Sequence, residues 1–437
     1  MTASLSTDPG APVTAPGALA LVAMQNRIQD YDWGSTSALA LLQSRTPSGG
    51  PEAELWMGAH PSAPSDLLVS DGRRLALPEA IGRFPEAVLG QATLNRFGPR
   101  LPFLLKVLAI ARPLSVQVHP DAARAAEAYG LDGESPYVDP FHKPEMLYAL
   151  EPVEALFGFR PPVQVAMLLS RLGSERLTPL IEILTGSEAP AGESTSGQPA
   201  GRSTMDDEAA RLHAVLARLV TWPLIDRAGL VAEIAAGSMR LQAAGNTDYP
   251  EAFGWLDRLV GLHPADPMVL APLLLDLVRL SPGQTLYVPA GMPHCYLSGL
   301  GVEILAASDN VLRCGLTSKT VNVEELLRVI DTRPSASSGI VPETLGEHEV
   351  VWRPSAEEFQ LTRITVRSAD ERTPVTADPS IVGPQILFCT RGKLQVRAGQ
   401  LTVQLISGSS AFVTADAGAL TFSGDGEVFR AAVGQLT

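Results

Sequence analysis

Ser115, Gln117 and His119 alternate with Val116 and Val118 along PLSVQVHPD, residues 113 to 121. Residues two apart on a strand point the same way. A hydroxyl, an amide and an imidazole therefore share one face while the valines bury the other. Gln117 and His119 offer an amide oxygen and a ring nitrogen at i, i+2, a spacing that lets two strand residues contact one ion. Zinc accepts imidazole and carboxylate, and a catalytic site keeps one position open for water or substrate. Two more ligands would complete such a site. Of the seven histidines, His119, His142 and His294 fall in β-rich, turn-bounded segments. The others have blander readings: His60 in a Pro-flanked turn, His213 on a helix face, His263 at a helix C-terminus, and His348 at a strand start or loop.

The cations are selective as well. Of 33 basic residues only Lys106, Lys143, Lys319 and Lys393 are lysine. The first three lie in segments where a compact, tunable ammonium is not interchangeable with a planar guanidinium. Lys106 interrupts FLLKVLA, where an apolar strand would bury an ammonium at high cost; an anion pocket would offset that cost. The net charge of −14 argues against general nucleic-acid or anionic-membrane binding. No apolar run approaches the roughly 18 residues that span a bilayer, and the first twenty residues lack a signal-peptide pattern. They read as a disordered tail, 1–20, on a cytoplasmic protein. Cys295, Cys314 and Cys389 are too few and scattered for a disulfide framework and read as buried thiols.

The elements that must hold these residues run as strands, helices, then strands again. With 437 residues and 45% hydrophobic content there is material for two or three cores. Short apolar runs between Pro and Gly turns fill residues 21 to 150. From 151 to about 280 the period becomes helical: Leu212, Val215, Leu216, Leu219 and Val220 form an i, i+3, i+4, i+7, i+8 stripe. VQVAMLLSRL and PMVLAPLLLDLVRL read as similar stripes. Residues 186 to 206 are small and polar, a mobile loop by composition. PAGMPH makes a tight connection with His294 at its exit, and the last ninety residues read as closely spaced strands without a metal site.

Six motifs occurring in order carry a resemblance: YDWGS, ELWMGAHPSAPS, PLSVQVHPD, YVDPFHKPEM, VPAGMPHCYLSG and VEILAASDNVLRCGLTSK. Together they resemble the type I, zinc-dependent, cupin-fold mannose-6-phosphate isomerases. The resemblance implies one Zn2+ per chain on Gln117, His119, Glu145 and His294. It also implies reversible aldose-ketose interconversion of mannose 6-phosphate and fructose 6-phosphate through a cis-enediol, feeding mannose and GDP-mannose metabolism. Moving a proton between C1 and C2 needs a base near carbon and an electrophile on the oxygens. Lys143 and His142 stand near the implied ligand Glu145, and Glu303 and Asp309 are carboxylate alternatives; the choice stays open. Arg313 matches the family's active-site arginine, and its high pKa suits it to electrostatic stabilisation rather than base chemistry. Lys106, Lys319 and Ser115 are expected with it at the phosphate end. Trp33 resembles an aromatic of the pocket wall.

YVDPFHKPEM with its Pro140 and Phe141, and the long polar loop, depart from the family pattern without touching an implied ligand. Competing readings are another cupin metalloenzyme, or a sugar-phosphate binder that has lost its chemistry. The expected fold is mainly β with an α insert: a catalytic cupin jelly-roll barrel from 21–150 and 277–345, a helical domain over 151–276, and a C-terminal jelly-roll over 346–437. The expected partner is a small phosphorylated sugar, with no nucleic acid or membrane and a monomer favoured.

Overall fold

FLLKVLAI is buried along its whole length, with neighbours on both edges, and it is the strand around which the site is assembled. The computed structural model describes residues 16–69, 72–130, 135–186, 204–245, 248–335, 339–370 and 373–435. Ten antiparallel strands form the first sheet: β1 (Arg27–Gln29), β2 (Glu54–Met57), β3 (Phe103–Ile110), β4 (Val116–Val118), β5 (Glu145–Ala149), β6 (Val153–Phe159), β7 (Leu275–Leu280), β8 (Thr285–Val288), β9 (His294–Ala306) and β10 (Leu312–Gly315).

The 13-residue β9 organises this sheet. Its first half pairs with β4 and β6, its second half with β3 and β5. The register shifts between Tyr296 and Ser298, and Gly299 follows at φ +127°. A Cβ there would lie 2.5 Å from the Pro152 carbonyl oxygen, so only glycine lets the strand bend and change partners. His294 and Glu303 thus sit on one strand but against different neighbours.

The helical part comprises α1 (Pro162–Arg171), α2 (Thr178–Thr185), α3 (Thr204–Val220), α4 (Leu224–Ala243) and α5 (Pro250–Leu262). The α3 stripe is as expected: Leu212, Val215, Leu216, Leu219 and Val220 are buried against Leu168 and Leu169 of α1 in one core. PMVLAPLLLDLVRL departs from the expected helix. It forms a short turn at Pro267–Leu270, one helical turn at Ala271–Leu274, and then β7. Its apolar residues fit either period. The register against β6, from Leu275 opposite Phe159 to Leu280 opposite Val153, decides for strand. β6 and β7 belong to the first sheet, so the helices occupy less of 151–276 than expected.

The second sheet has eleven strands, and its central members are Gln360–Ala369, Leu420–Ala432, Gln385–Ala398 and Ser410–Val413. It is not built from residues 346–437 alone. Leu21–Gln25 pairs with Ser410–Val413, and Asp66–Leu68 and Arg74–Ala76 continue the sheet. The mainly β architecture with a helical part matches expectation, while each sheet follows an open hydrogen-bonded path among the described residues. One core joins the sheets: Tyr148 on β5 packs edge-on against Trp352 and Phe429. Most of the expected tail and of the loop near 186–206 lies outside the described residues. No helix among those residues is long and apolar enough to cross a membrane.

Candidate metal centre

Strand register brings the expected ligands together. Gln117 on β4 lies opposite His294 on β9 and opposite Arg313 on β10. His119 follows β4 directly. Glu145 opens β5, opposite Leu305 of β9 and Val288 of β8. His119, Glu145 and His294 are buried, with ligand atoms all within 4.8 Å of one another. Each Nε2 lies 3.4 Å from a different Glu145 oxygen.

The outer ring nitrogens define what the inner ones can do. His119 Nδ1 donates to the Asn310 carbonyl oxygen at 2.7 Å, and His294 Nδ1 donates to that of Met292 at 3.1 Å. Both imidazoles then present Nε2 lone pairs inward, and both Nε2 atoms are buried with no hydrogen-bond partner. Burial pushes His119 down to about 4 despite Glu145, which keeps its ring neutral. Burial is the largest single influence on Glu145 and opposes its ionisation, but the Lys143 ammonium at 3.1 Å together with His119 and His294 outweighs it and holds the carboxyl well below its ordinary range. Two lone pairs and a carboxylate converging in a dry site repel one another unless a cation lies between them. Two imidazoles, a carboxylate and an amide oxygen suit zinc, with each imidazole oriented by a carbonyl behind it.

A cavity of about 980 Å³ opens beside these residues. Ser115, Gln117, Lys143, Glu145, Glu303, Asp309, Arg313 and Lys319 line it, as do Lys106 and Trp33. Trp33 stacks on Tyr31 with ring centroids 6.0 Å apart, so it is wall and packing at once. Arg313 is partly buried, and burial lowers its pKa. Lys319 is exposed at the cavity edge.

Two of the expected residues are held by other groups. His142 is absent from the cavity wall, and its Nε2 lies 2.7 Å from Glu358 Oε1. Lys106 lines the cavity and has carboxylates for partners. Its ammonium lies 3.2 Å from Glu54 and 3.7 Å from Glu303, with the Trp56 ring 4.8 Å away. The cost of burying it is offset by two carboxylates on the flanking strands.

Sequence reasoning did not single out Glu54, Trp56, Tyr296 or Asn310. Trp56 Nε1 donates to Glu54, and Glu54 in turn holds Lys106. Tyr296 lines the cavity with its hydroxyl buried beside Glu303. Alternation along HCYLSG, which sets Tyr296 on the same strand face as His294, was the available signal. Glu303, also buried, is pushed up to about 8, first by burial and then by Glu145, against the pull of Lys106. Asp309 lies 2.9 Å from His60 Nε2, and that bond first of all lowers its pKa.

Residues 21–162 match the family model described as phosphomannose isomerase type I, catalytic domain. The mannose-6-phosphate isomerase of Salmonella typhimurium is 32% identical over 418 residues, covering 93% of this chain and 97% of that protein. Mannose-6-phosphate isomerase 1 of Arabidopsis thaliana is 30% identical over 421 residues, covering 93% and 92%. Among solved structures, a mutant phosphomannose isomerase from Salmonella typhimurium matches with a TM-score of 0.81 at 30% identity, covering 95% of this chain and all of that one. A zinc-bound mannose 6-phosphate isomerase matches with a TM-score of 0.80 and the same coverage. Sequence, cupin-type architecture and a histidine-glutamate-histidine cluster agree, and the chain belongs to the type I mannose-6-phosphate isomerase family.

Proposed function

We propose that this chain interconverts mannose 6-phosphate and fructose 6-phosphate at the cavity beside His119, Glu145 and His294. The observation that carries this reading is the pair of buried, unpartnered Nε2 atoms facing one carboxylate at the base of a cavity that also holds Arg313. Gln117, His119, Glu145 and His294 would hold one zinc ion. When bound, it supplies positive charge that polarises the sugar's carbonyl and hydroxyl oxygens.

The chain's own residues do the rest. Glu303 is the best-placed base. It is buried on the cavity wall, and burial followed by Glu145 raises its pKa to about 8, toward the working range of a group that shuttles a proton between C2 and C1. The proton leaves C2 of the aldose as the enediol forms and returns to C1 of the ketose; a second proton moves between O1 and O2, so atoms balance. Lys143 is engaged with Glu145 and Asp309 with His60, which leaves them to position groups rather than to accept a carbon-bound proton. Arg313, partly buried on the cavity wall, binds phosphate or the enediolate together with Lys319 and the Ser115 hydroxyl. The three buried, free thiols support a reducing, cytoplasmic setting.

The test is coupled turnover of mannose 6-phosphate by the zinc-loaded chain, with unphosphorylated mannose as comparison. Turnover of the phosphorylated sugar alone is expected. No turnover would sink the isomerase reading and favour a binding protein of the same fold.

A further inference from the structure

Asn310 is 1% exposed, next to the cavity but absent from its wall, and has no part in the chemistry proposed above. Every polar group of it is nonetheless used. Its side-chain Nδ2 donates to the Asp139 carbonyl at 2.7 Å, to the Phe141 carbonyl at 2.8 Å and to Asp139 Oδ1 at 3.1 Å. Its Oδ1 accepts from the Val138 backbone at 3.0 Å. Its own carbonyl accepts from His119 Nδ1 at 2.7 Å. Asp139 closes the knot from the other side, accepting from Ser308 Oγ and the Asp309 backbone, each at 2.8 Å.

This knot joins three segments just where they leave the paired strands that bring them close. Residues 138–141 are irregular backbone leading into Lys143 and Glu145. Residues 308–310 lead into β10 and Arg313. The third segment ends in His119. A buried amide that makes all its bonds holds one geometry, because each alternative leaves a buried polar group unsatisfied.

We infer that Asn310 is a positioning residue that sets His119 and Glu145 at their common spacing and ties that spacing to Arg313. The inference rests on the isomerase reading only for what Arg313 binds; the spacing of the ligands stands apart from it. Groups behind metal ligands typically change metal affinity or activity by about 10–100-fold when removed.

The experiment measures zinc loss from the zinc-loaded full chain to excess chelator, alongside kcat and KM. Asn310→Ala and Asn310→Asp are expected to lose zinc at least about tenfold faster and to lower kcat about tenfold, with KM changed less. In Asn310→Asp a carboxylate would face Asp139 and two carbonyls, so it is expected to be the more severe. Asn322→Ala is the comparison: Asn322 Oδ1 caps a helix by accepting from the Glu325 backbone, so its loss costs stability without touching the knot. Zinc loss by Asn310→Ala at the wild-type or Asn322→Ala rate overturns the inference. Should Asn310→Ala not fold, Asp139→Asn keeps the side-chain shape but turns an acceptor into a donor. Several-fold faster zinc loss then supports the knot, and an unchanged rate overturns it. Wild-type chain that holds zinc yet turns over no mannose 6-phosphate would defeat the isomerase reading while leaving the zinc comparison intact.

Discussion

Replacing Lys106 by Met separates two accounts of a buried cation. The ammonium stands 3.2 Å from Glu54 and 3.7 Å from Glu303. At an effective dielectric near 20 these contacts are worth about 5 and about 4.5 kcal/mol of Coulomb energy, most of it offset by desolvation. Removing one member of a buried pair typically costs about 3–5 kcal/mol, because the remaining charge stays buried. That is the expected loss for Lys106→Met at alkaline pH, where both carboxylates are charged. At lower pH the loss is smaller, since Glu303 can take a proton. Its folded pKa of about 8 lies above the ordinary 4.5, so the stability it contributes is full below 4.5 and lost as pH rises through about 8. Without Lys106 the folded value moves higher still, and the gap between wild type and variant widens from pH 5 to pH 9. Urea unfolding of the zinc-loaded proteins at those two pH values reads the gap. Coupled kinetics should show kcat falling more than KM rises, because Glu303 loses the group that fixes it. A variant with unchanged stability and kcat but raised KM would refute this account and favour Lys106 as a phosphate ligand.

Other perturbations have distinct signatures. Arg313→Ala removes a half-buried guanidinium from the cavity, and an expected loss of about 2–5 kcal/mol corresponds to at least about thirtyfold in kcat/KM. Lys319→Ala removes an exposed charge worth about 0.2–1 kcal/mol, an effect that should fade as salt is raised. His142→Ala should leave turnover close to wild type and lower stability by about 1–3 kcal/mol, since it strands the buried Glu358 carboxylate; a collapse of kcat with unchanged stability would return His142 to the chemistry. Glu325 accepts from Arg124 and Tyr137, and although burial opposes this, those bonds lower its pKa. Its contribution is present above 4.5 and lost as pH falls through the lowered folded value. Glu325→Gln should therefore cost about 1–3 kcal/mol at pH 7 and progressively less in acid, as followed by thermal melting.

The legibility of the site tracked how local each feature is. Gln117 and His119 share a strand face within three residues, and the PAGMPH turn hands His294 to β9, so both were readable from alternation and turn chemistry. Glu145 needed the family resemblance, because nothing in HKPE itself points its carboxylate at two histidines. Lys106 was rightly read as costly to bury, but its partners lie 52 residues before it and 197 after it, joined only by the register of β2, β3 and β9. The contact of His142 was unreadable for the same reason, since its partner Glu358 lies 216 residues away. DLVRL reads as helix because it is apolar in either period, and only the edge of β6 makes it a strand. Leu21–Gln25 looks like the start of an N-terminal domain, yet its backbone partners are Ser410–Val413. Side-chain periodicity says which face is buried but not which strand will cover it.

The most direct test of the central claim is zinc stoichiometry measured together with turnover of mannose 6-phosphate, before chelation, after it, and after zinc is restored. One zinc per chain is predicted, with activity lost when it is stripped and recovered in proportion to its return, and with both absent in His119→Ala. Full turnover by metal-free protein, or zinc bound at one per chain in His119→Ala, would contradict the account.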